Sequence, residues 1–448
     1  MLTPFDFDTL RAAEFSRLDA QGLAYLDYAA AGLYGASQVA AYAERLNDAI
    51  YGNPHSEHAP SRLSARDLFE AKAATLAFFD ADPAVYDVCF TANTSAALKL
   101  VAESYPFGPE RGLVLSADNH NSVNGIREYA RAKGALVTVL PLDNDLRLDD
   151  PTGHLRDLHP GLLAFPAQSN FSGVKHDLDL LHFAQALGYD VLIDAAGTGA
   201  CSGISLRQHP AEFLAFSFYK LFGLPTGLGA LVAKRSALAR LRRPWFAGGT
   251  VDFVSVEHDR HQLRPGHEGF EDGTPDFANA GAVVTGFDFL ARIDRRGLAD
   301  RLQALTRYFL EHALSLTHAD GSPLVRIYGP HDTTMRGATV AFNILNLRGT
   351  AVPFGVVERH AHSARVAIRG GCFCNPGAAE KAFGFSKLNV AACLDRLGEA
   401  FTIPAFQNCL GPGTAVGALR LSAGLPTNFS DIDRALDLIA SFRGHGGD

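Results

Sequence analysis

The 448-residue chain contains no uninterrupted apolar run of the roughly 18 residues that a membrane-spanning helix needs, so none is expected. Six cysteines are too few for a disulfide scaffold, and they predict a reducing, cytoplasmic setting. Positive charge is also in deficit: 40 Lys and Arg against 48 Asp and Glu leave a net charge of −8. That balance excludes a general nucleic-acid or anionic-membrane binder as the first expectation. The opening stretch, MLTPFDFDTLRAAEF, lacks a basic region followed by an apolar core, so no signal or transit peptide is expected. There is no internal repeat and no low-complexity tract. The GLPTGLG turn lacks the spacing and downstream acid of a dinucleotide fingerprint, and the single tryptophan, Trp245, is expected to pack. What remains, 47% hydrophobic and 20% charged residues, is the composition of a globular enzyme with a large core.

Seven short runs in the first half are apolar on both faces and end in a polar or glycine residue: AVYDVCFTA, RGLVLSA, ALVTVLPL, GLLAFPA, YDVLIDA, EFLAFSF and GLGALVAK. Such runs are read as parallel strands covered on both sides. Helix-like stretches such as TSAALKLVAES, SVNGIREYARAKG and DLLHFAQALG alternate with them, which predicts an α/β fold with a large, mostly parallel sheet. After a long loop, WFAGGTVDFVSVEHDRHQLRPGHEGFEDGTPDF, two helix-like segments lead into four further strand-like runs, LVRIYG, ATVAFNIL, ARVAIRGG and GALRLSAG. The expected organisation is a large domain over residues 21–290 and a smaller α+β domain over 291–448 that residues 1–20 join.

Ligands of open α/β sheets sit beyond the carboxyl ends of the strands. Successive ends here carry Thr94 and Ser95 opening a helix, then His120, then Gln168, Ser169 and Asn170, then Asp194, then Lys220. A helix N-terminus suits a phosphate, a flat imidazole suits a ring, a carboxylate suits a protonated pyridine nitrogen, and an amine can form a Schiff base. Together they match what pyridoxal phosphate needs. Each residue taken singly has an ordinary reading, as a helix cap, a satisfied histidine or a surface lysine. Their order on successive strand ends is what carries the assignment. Of eight lysines, Lys220 alone ends a wholly apolar run and is followed by a Gly-rich turn.

The segments LAYLDYAAAGLYGASQ, YGNPHSE, FTANTSAALKL, DNHNSVNGIR, FPAQSNFSG, DVLIDAAG, SFYKLFGLPTGLGAL, FAGGTV, FEDGT and IRGGCFCNPGA resemble the fold-type I pyridoxal phosphate enzymes of the aminotransferase class V group. Within it, the sequence is most similar to cysteine desulfurases, above all the N-terminal desulfurase domain of molybdenum cofactor sulfurases. The resemblance implies that Lys220 is the Schiff-base lysine, Asp194 the partner of the ring nitrogen and His120 the stacking ring. It implies that Thr94, Ser95 and Ser217 hold the phosphate and that Asn170, with Gln168, faces the ring hydroxyl. It further implies a homodimer in which a loop of the second subunit reaches the phosphate at Thr250 or Thr274. Arg420 matches the arginine that holds a substrate carboxylate, with Arg369 a second basic residue beside the cysteine loop. A guanidinium fork suits a carboxylate.

By the same resemblance Cys374 is the thiol that removes sulfur from L-cysteine, becoming a persulfide and releasing alanine, with Cys372 its neighbour. Arg369 is expected to lower the pKa of a thiol near it. A zinc site at C-x-C lacks a second cysteine pair, and a disulfide between positions i and i+2 would be strained. The histidine pairs His55/His58, His258/His261 and His360/His362 lack ligand company, so no metal is expected. Cys89 and Cys201 are expected in the core, and Cys393 and Cys409 have no assigned role. Departures from the desulfurase pattern are Tyr219 before the lysine, Gly197 after the aspartate, and Ala378-Ala379-Glu380 after the cysteine loop. Two-domain sulfurases continue into a further domain, whereas this sequence stops at Asp448, which leaves the sulfur acceptor, a protein or a cofactor, open. The alternative expectations are a pyridoxal phosphate-dependent C–S lyase, other lyase or racemase that does not use the thiol, and a non-catalytic cofactor-binding or sulfur-relay protein.

Overall fold

Seven strands make the central sheet of the computed structural model, which describes residues 5–201, 203–411 and 413–446. They are β1 (Tyr86–Thr91), β2 (Leu113–Ser116), β3 (Val137–Leu140), β4 (Leu162–Pro166), β5 (Asp190–Asp194), β6 (Phe213–Ser217) and β7 (Gly229–Lys234). The seven apolar runs of the sequence are these strands. Their order across the sheet is β1-β7-β6-β5-β4-β2-β3. The sheet is mixed, because β7 runs antiparallel to both neighbours, while the β6-β5-β4-β2-β3 ladders are parallel. Two reversals restore direction, so β1 points the same way as β6. All strands except β7 therefore end on one edge, and that shared edge gathers the residues that follow them.

A second sheet of order β8-β9-β11-β10 is antiparallel and comprises β8 (Val325–Tyr328), β9 (Thr339–Ile344), β10 (Arg369–Gly371) and β11 (Ala418–Ser422). The run ARVAIRGG is two short strands rather than one. Val366–Ala367 pairs in parallel with Ala24–Tyr25 near the N-terminus, and Arg369–Gly371 then turns to β11. This pairing brings Asp27 beside Ser422 and so to the interior edge of the small sheet. Residues 5–20 lie on the same side. Arg11, buried, binds Asp431 at 2.6 Å and the carbonyl of Pro426 at 2.7 Å.

Two features here depart from the sequence reading. The long loop after Trp245 contains an antiparallel hairpin, Val251–Ser255 with Arg260–Leu263, whose exposed and charged positions gave no apolar alternation to find. Cys393 and Cys409, to which the sequence reading assigns no role, form a disulfide between the helices Lys387–Leu397 and Ile403–Leu410, with Cα atoms 5.8 Å apart. Helical pairing, not sequence proximity, brings these thiols together. Cys89 is wholly buried, as expected, while the side chain of Cys201 lies outside the described part of the structure.

Candidate active site

The helix Thr94–Ser104 begins at the end of β1 with Asn93 as its cap, the Asn93 side chain accepting from Ala96 N at 3.0 Å. Gly229 allows this turn to lie close, since a Cβ there would stand 2.7 Å from the Asn93 backbone. Ser217, at the end of β6, accepts from Thr94 N at 2.9 Å and meets Thr94 Oγ1 at 2.7 Å. Ser95 Oγ lies 2.6 Å from Ser122 Oγ. Three hydroxyls expected to hold phosphate are thus clustered at one helix N-terminus, and Ser122 joins them. The sequence reading missed Ser122, although it follows His120 by two positions.

His120 caps the helix Asn121–Asn124, its Nδ1 accepting from Ser122 N at 3.1 Å. That contact leaves the proton of a neutral ring on Nε2. Burial pushes the imidazole pKa down, as do the charges of Lys220 and Arg420, while Asp194 opposes them. The ring is therefore neutral and flat rather than cationic near neutral pH. Asp194 is fully enclosed at the end of β5, and burial raises its pKa, opposed by one hydrogen bond from Ala196 N at 2.9 Å and by the nearby Lys220 and His120. Its second oxygen has no hydrogen-bond partner among the described residues.

Lys220 lies in the helix Phe218–Phe222, which starts directly from β6. Its amine has no hydrogen-bond or salt-bridge partner among the described residues. Burial lowers its pKa; Asp194 and Cys374 pull the other way, and Arg420 and Arg369 add to the depression. A desolvated, unpaired amine is a poised nucleophile and base. A cavity of about 580 Å³ reaches Lys220 from between the two sheets, lined also by Gln168, His176, Gly197 and Arg336. His120, Asp194, Arg420 and Cys374 do not line it. The clustered side chains, rather than this cavity, therefore mark the candidate chemistry.

The small sheet supplies the other wall. Arg369 and Arg420 face each other across β10 and β11. Like charges directly opposite in a sheet repel, and Asp27 lies between them. Arg420 Nη2 donates to Asp27 Oδ1 at 3.0 Å, and Arg369 binds the same carboxylate through Nε and Nη2, the shortest contact being 2.7 Å. Arg369 was expected to act on a thiol; its fork is instead committed to Asp27. Arg420 is buried, donates through Nη1 to the carbonyl of Asn170 at 2.8 Å and stacks 4.7 Å from the centre of the Phe373 ring. Its Nε is buried and has no hydrogen-bond partner among the described residues.

Cys372 and Cys374 are exposed free thiols on the loop after β10, and Cys374 is within electrostatic reach of Lys220. Asn170, expected to face a ring hydroxyl, uses its amide on this loop, donating to the Phe373 carbonyl at 2.7 Å. Gln168 donates to the Gly197 carbonyl at 2.8 Å. Thr250 does not fit the role of reaching a second subunit: it is wholly buried, with Oγ1 on the Ala247 carbonyl at 2.9 Å. Thr274 is exposed and accepts from Asn53 Nδ2 at 3.2 Å. Asp179, His182 and His209 bring ligand atoms within 4.8 Å of one another, outside the histidine pairs considered from sequence. His182 Nε2 there is occupied by the Gln208 carbonyl.

Residues 24–393 match the aminotransferase class-V family. The chain is 34% identical to a molybdenum cofactor sulfurase of Solanum lycopersicum, over 98% of its own length and 57% of the relative's. It is 34% identical to the molybdenum cofactor sulfurase of Homo sapiens, over 99% of the chain and 52% of the relative. The chain thus spans about half the length of these curated relatives. A cysteine desulfurase from Thermococcus onnurineus NA1 superposes with a TM-score of 0.79 at 22% identity, covering 98% of this chain and 99% of that one. A cysteine desulfurase from Escherichia coli gives 0.77 at 22% identity with the same coverage. These two likenesses establish the large-sheet and small-sheet architecture as the desulfurase fold.

Proposed function

The chain belongs to the aminotransferase class-V family, and from that premise we propose that it is a pyridoxal phosphate-dependent L-cysteine desulfurase that carries sulfur as a persulfide on Cys374. The observation that carries the reading is the convergence of a buried, unpaired Lys220 with an exposed Cys374 beside it and a buried guanidinium donor on Arg420 left open.

The residues fit the cofactor on their own chemistry. Thr94, Ser95 and Ser217 offer hydroxyls and a helix N-terminus to its phosphate. Asp194 keeps one oxygen free, and a cationic ring nitrogen against it would offset the burial that otherwise raises its pKa. His120 presents a neutral ring for stacking, and Lys220 the amine for attachment. When bound, the cofactor supplies an electron sink for the pair left on the substrate Cα.

The chain's own groups do the rest. Arg420 binds the substrate carboxylate through its open Nε and sets the direction of the Cα–H bond. Lys220 Nζ, its pKa lowered by burial, takes the Cα proton and is placed to return a proton to carbon. The Cys374 thiolate attacks the substrate sulfur, the carbon–sulfur bond breaks with its electron pair going to carbon, and protonation of that carbon yields alanine. The sulfur stays on Cys374 as a persulfide for transfer to an acceptor protein or cofactor.

We place the enzyme in the cytoplasm as a homodimer. No described helix is long and apolar enough to cross a membrane, and a reducing compartment keeps Cys374 as the thiol this chemistry needs. The test is mass spectrometry of the cofactor-loaded protein after L-cysteine. A gain of one sulfur on the Cys374 peptide with release of alanine is expected, and both are expected to vanish in Cys374→Ala. Alanine and persulfide formation persisting in that variant would overturn the assignment.

A further inference from the structure

The thiol-bearing loop has a backbone that ordinary side chains avoid. Phe373 and Cys374 have φ of 56° and 57°, two consecutive non-glycine residues in the left-handed region. Such conformations persist only where the surroundings hold them. The restraints can be traced outward from the loop. Asn121 N donates to the Cys374 carbonyl at 2.7 Å, and Asn375 N closes a turn on the Cys372 carbonyl at 3.0 Å. Asn375 is wholly buried. Its Nδ2 donates to Asn170 Oδ1 at 3.0 Å and to Asp118 Oδ1 at 2.6 Å, while its Oδ1 caps the helix Pro376–Phe383 through Ala378 N. Gly377 lets that helix press on the end of β2, since a Cβ there would stand 2.2 Å from the Ala117 carbonyl.

Asp118 is the anchor of this set. Its side chain is fully enclosed, and besides Asn375 it accepts from Ser169 Oγ at 2.7 Å and from His176 Nε2 at 2.8 Å. An ionised carboxylate only accepts, so it can take three donors at once and orient each. We infer that Asp118, itself held by His176 and Ser169, is a positioning residue for Cys374 that acts through Asn375. The inference rests on the reading of Cys374 as the sulfur-accepting thiol. Asp118 belongs to the large sheet and Cys374 to the loop of the small one, so the contact fixes the thiol's height over Lys220 across the boundary between them. A displacement of about 1 Å at a reacting atom is enough to cost two orders of magnitude in rate.

The test compares Asp118→Ala, Asn375→Ala and their double variant with the parent and with Cys374→Ala, all as cofactor-loaded protein. Single-turnover persulfide formation is followed by peptide mass spectrometry, and backbone hydrogen exchange is followed across residues 372–376. Each single variant is expected to slow persulfide formation about 100-fold. KM for L-cysteine and the cofactor absorbance should stay within about threefold of the parent, and amide exchange in the loop should quicken about tenfold. The double variant should be no slower than the slower single one, because both act through one contact. Asp118→Asn keeps an acceptor for Asn375 and should recover most of the rate. His176→Phe, which keeps the space filled, should lose about tenfold, and with Asp118→Asn it carries the comparison if Asp118→Ala does not fold. Multiplying losses in the double variant, or Asp118→Ala forming persulfide at the parental rate, would overturn the inference. Persulfide chemistry surviving in Cys374→Ala would instead remove the underlying reading, while the loop-exchange result would still report on the Asp118 anchor.

Discussion

Arg369 and Arg420 repel each other across two neighbouring strands, and Asp27 makes the pair tolerable by accepting from both. The arrangement leaves Arg420 Nε as the open donor, and the fork geometry explains why a lysine there would not substitute. Arg420→Lys keeps the charge but loses the contacts to Asp27 and to the Asn170 carbonyl. Its expected effect is a rise in KM for L-cysteine of about 10- to 100-fold, with a smaller loss in kcat, measured by alanine release. Arg420 could be found from its motif because it stands in an apolar strand where a charge needs a reason. Asp27 could not: it lies 393 positions away from the arginine it neutralises, in a stretch that reads as the start of the fold. Asp118 and Asn375 are hidden in the same way, 257 positions apart, and each alone looks like a turn or cap residue.

At the scale of elements, strands read well and helices and ribbons less so. Strands buried on both faces are continuous apolar runs, and all seven strands of the large sheet, the partly exposed edge strand β3 included, are legible as such runs. The hairpin Val251–Ser255 with Arg260–Leu263 did not, because solvent covers both of its faces and no pattern is required. The helices Lys387–Leu397 and Ile403–Leu410 are mostly exposed too, with Leu388 82% and Leu394 46% accessible, so packing alone holds them weakly. The Cys393–Cys409 link, closing a separation of 16 residues, supplies the restraint. In chain-entropy terms a loop of that size is worth about 3 kcal/mol. Cys393→Ser, or reduction of the parent, is expected to speed amide exchange across residues 387–410 by orders of magnitude while leaving β4 to β6 protected. Unchanged exchange would mean that the pair of helices is held by packing instead.

Over the whole molecule, the candidate site exists only where the two sheets meet. The large sheet brings Thr94, His120, Asp194, Ser217 and Lys220 to one edge, and the small sheet carries Arg420 and Cys374 to the same place. In the proposed homodimer, the enclosure of Thr250 leaves the exposed Thr274 as the candidate to reach the phosphate site of the second subunit. Light scattering is expected to give the mass of two chains. Thr274→Glu is expected to weaken retention of the cofactor without separating the subunits, and a monomeric parent would exclude that role for Thr274.

By itself the sequence determined the strands, their order of chemical endings and hence the large-sheet half of the site. Runs buried on both faces must be apolar throughout, and parallel strands must end on a common edge, so local pattern carries that information. Tertiary structure alone decided the partners: Asp27 for the arginines, Asp118 and His176 for the cysteine loop, Ser122 for Ser95, and Cys393 for Cys409. These are pairings between polar groups with no periodicity to announce them. A hydrogen bond depends on where two side chains meet in space, and the chain connecting them leaves no trace of it.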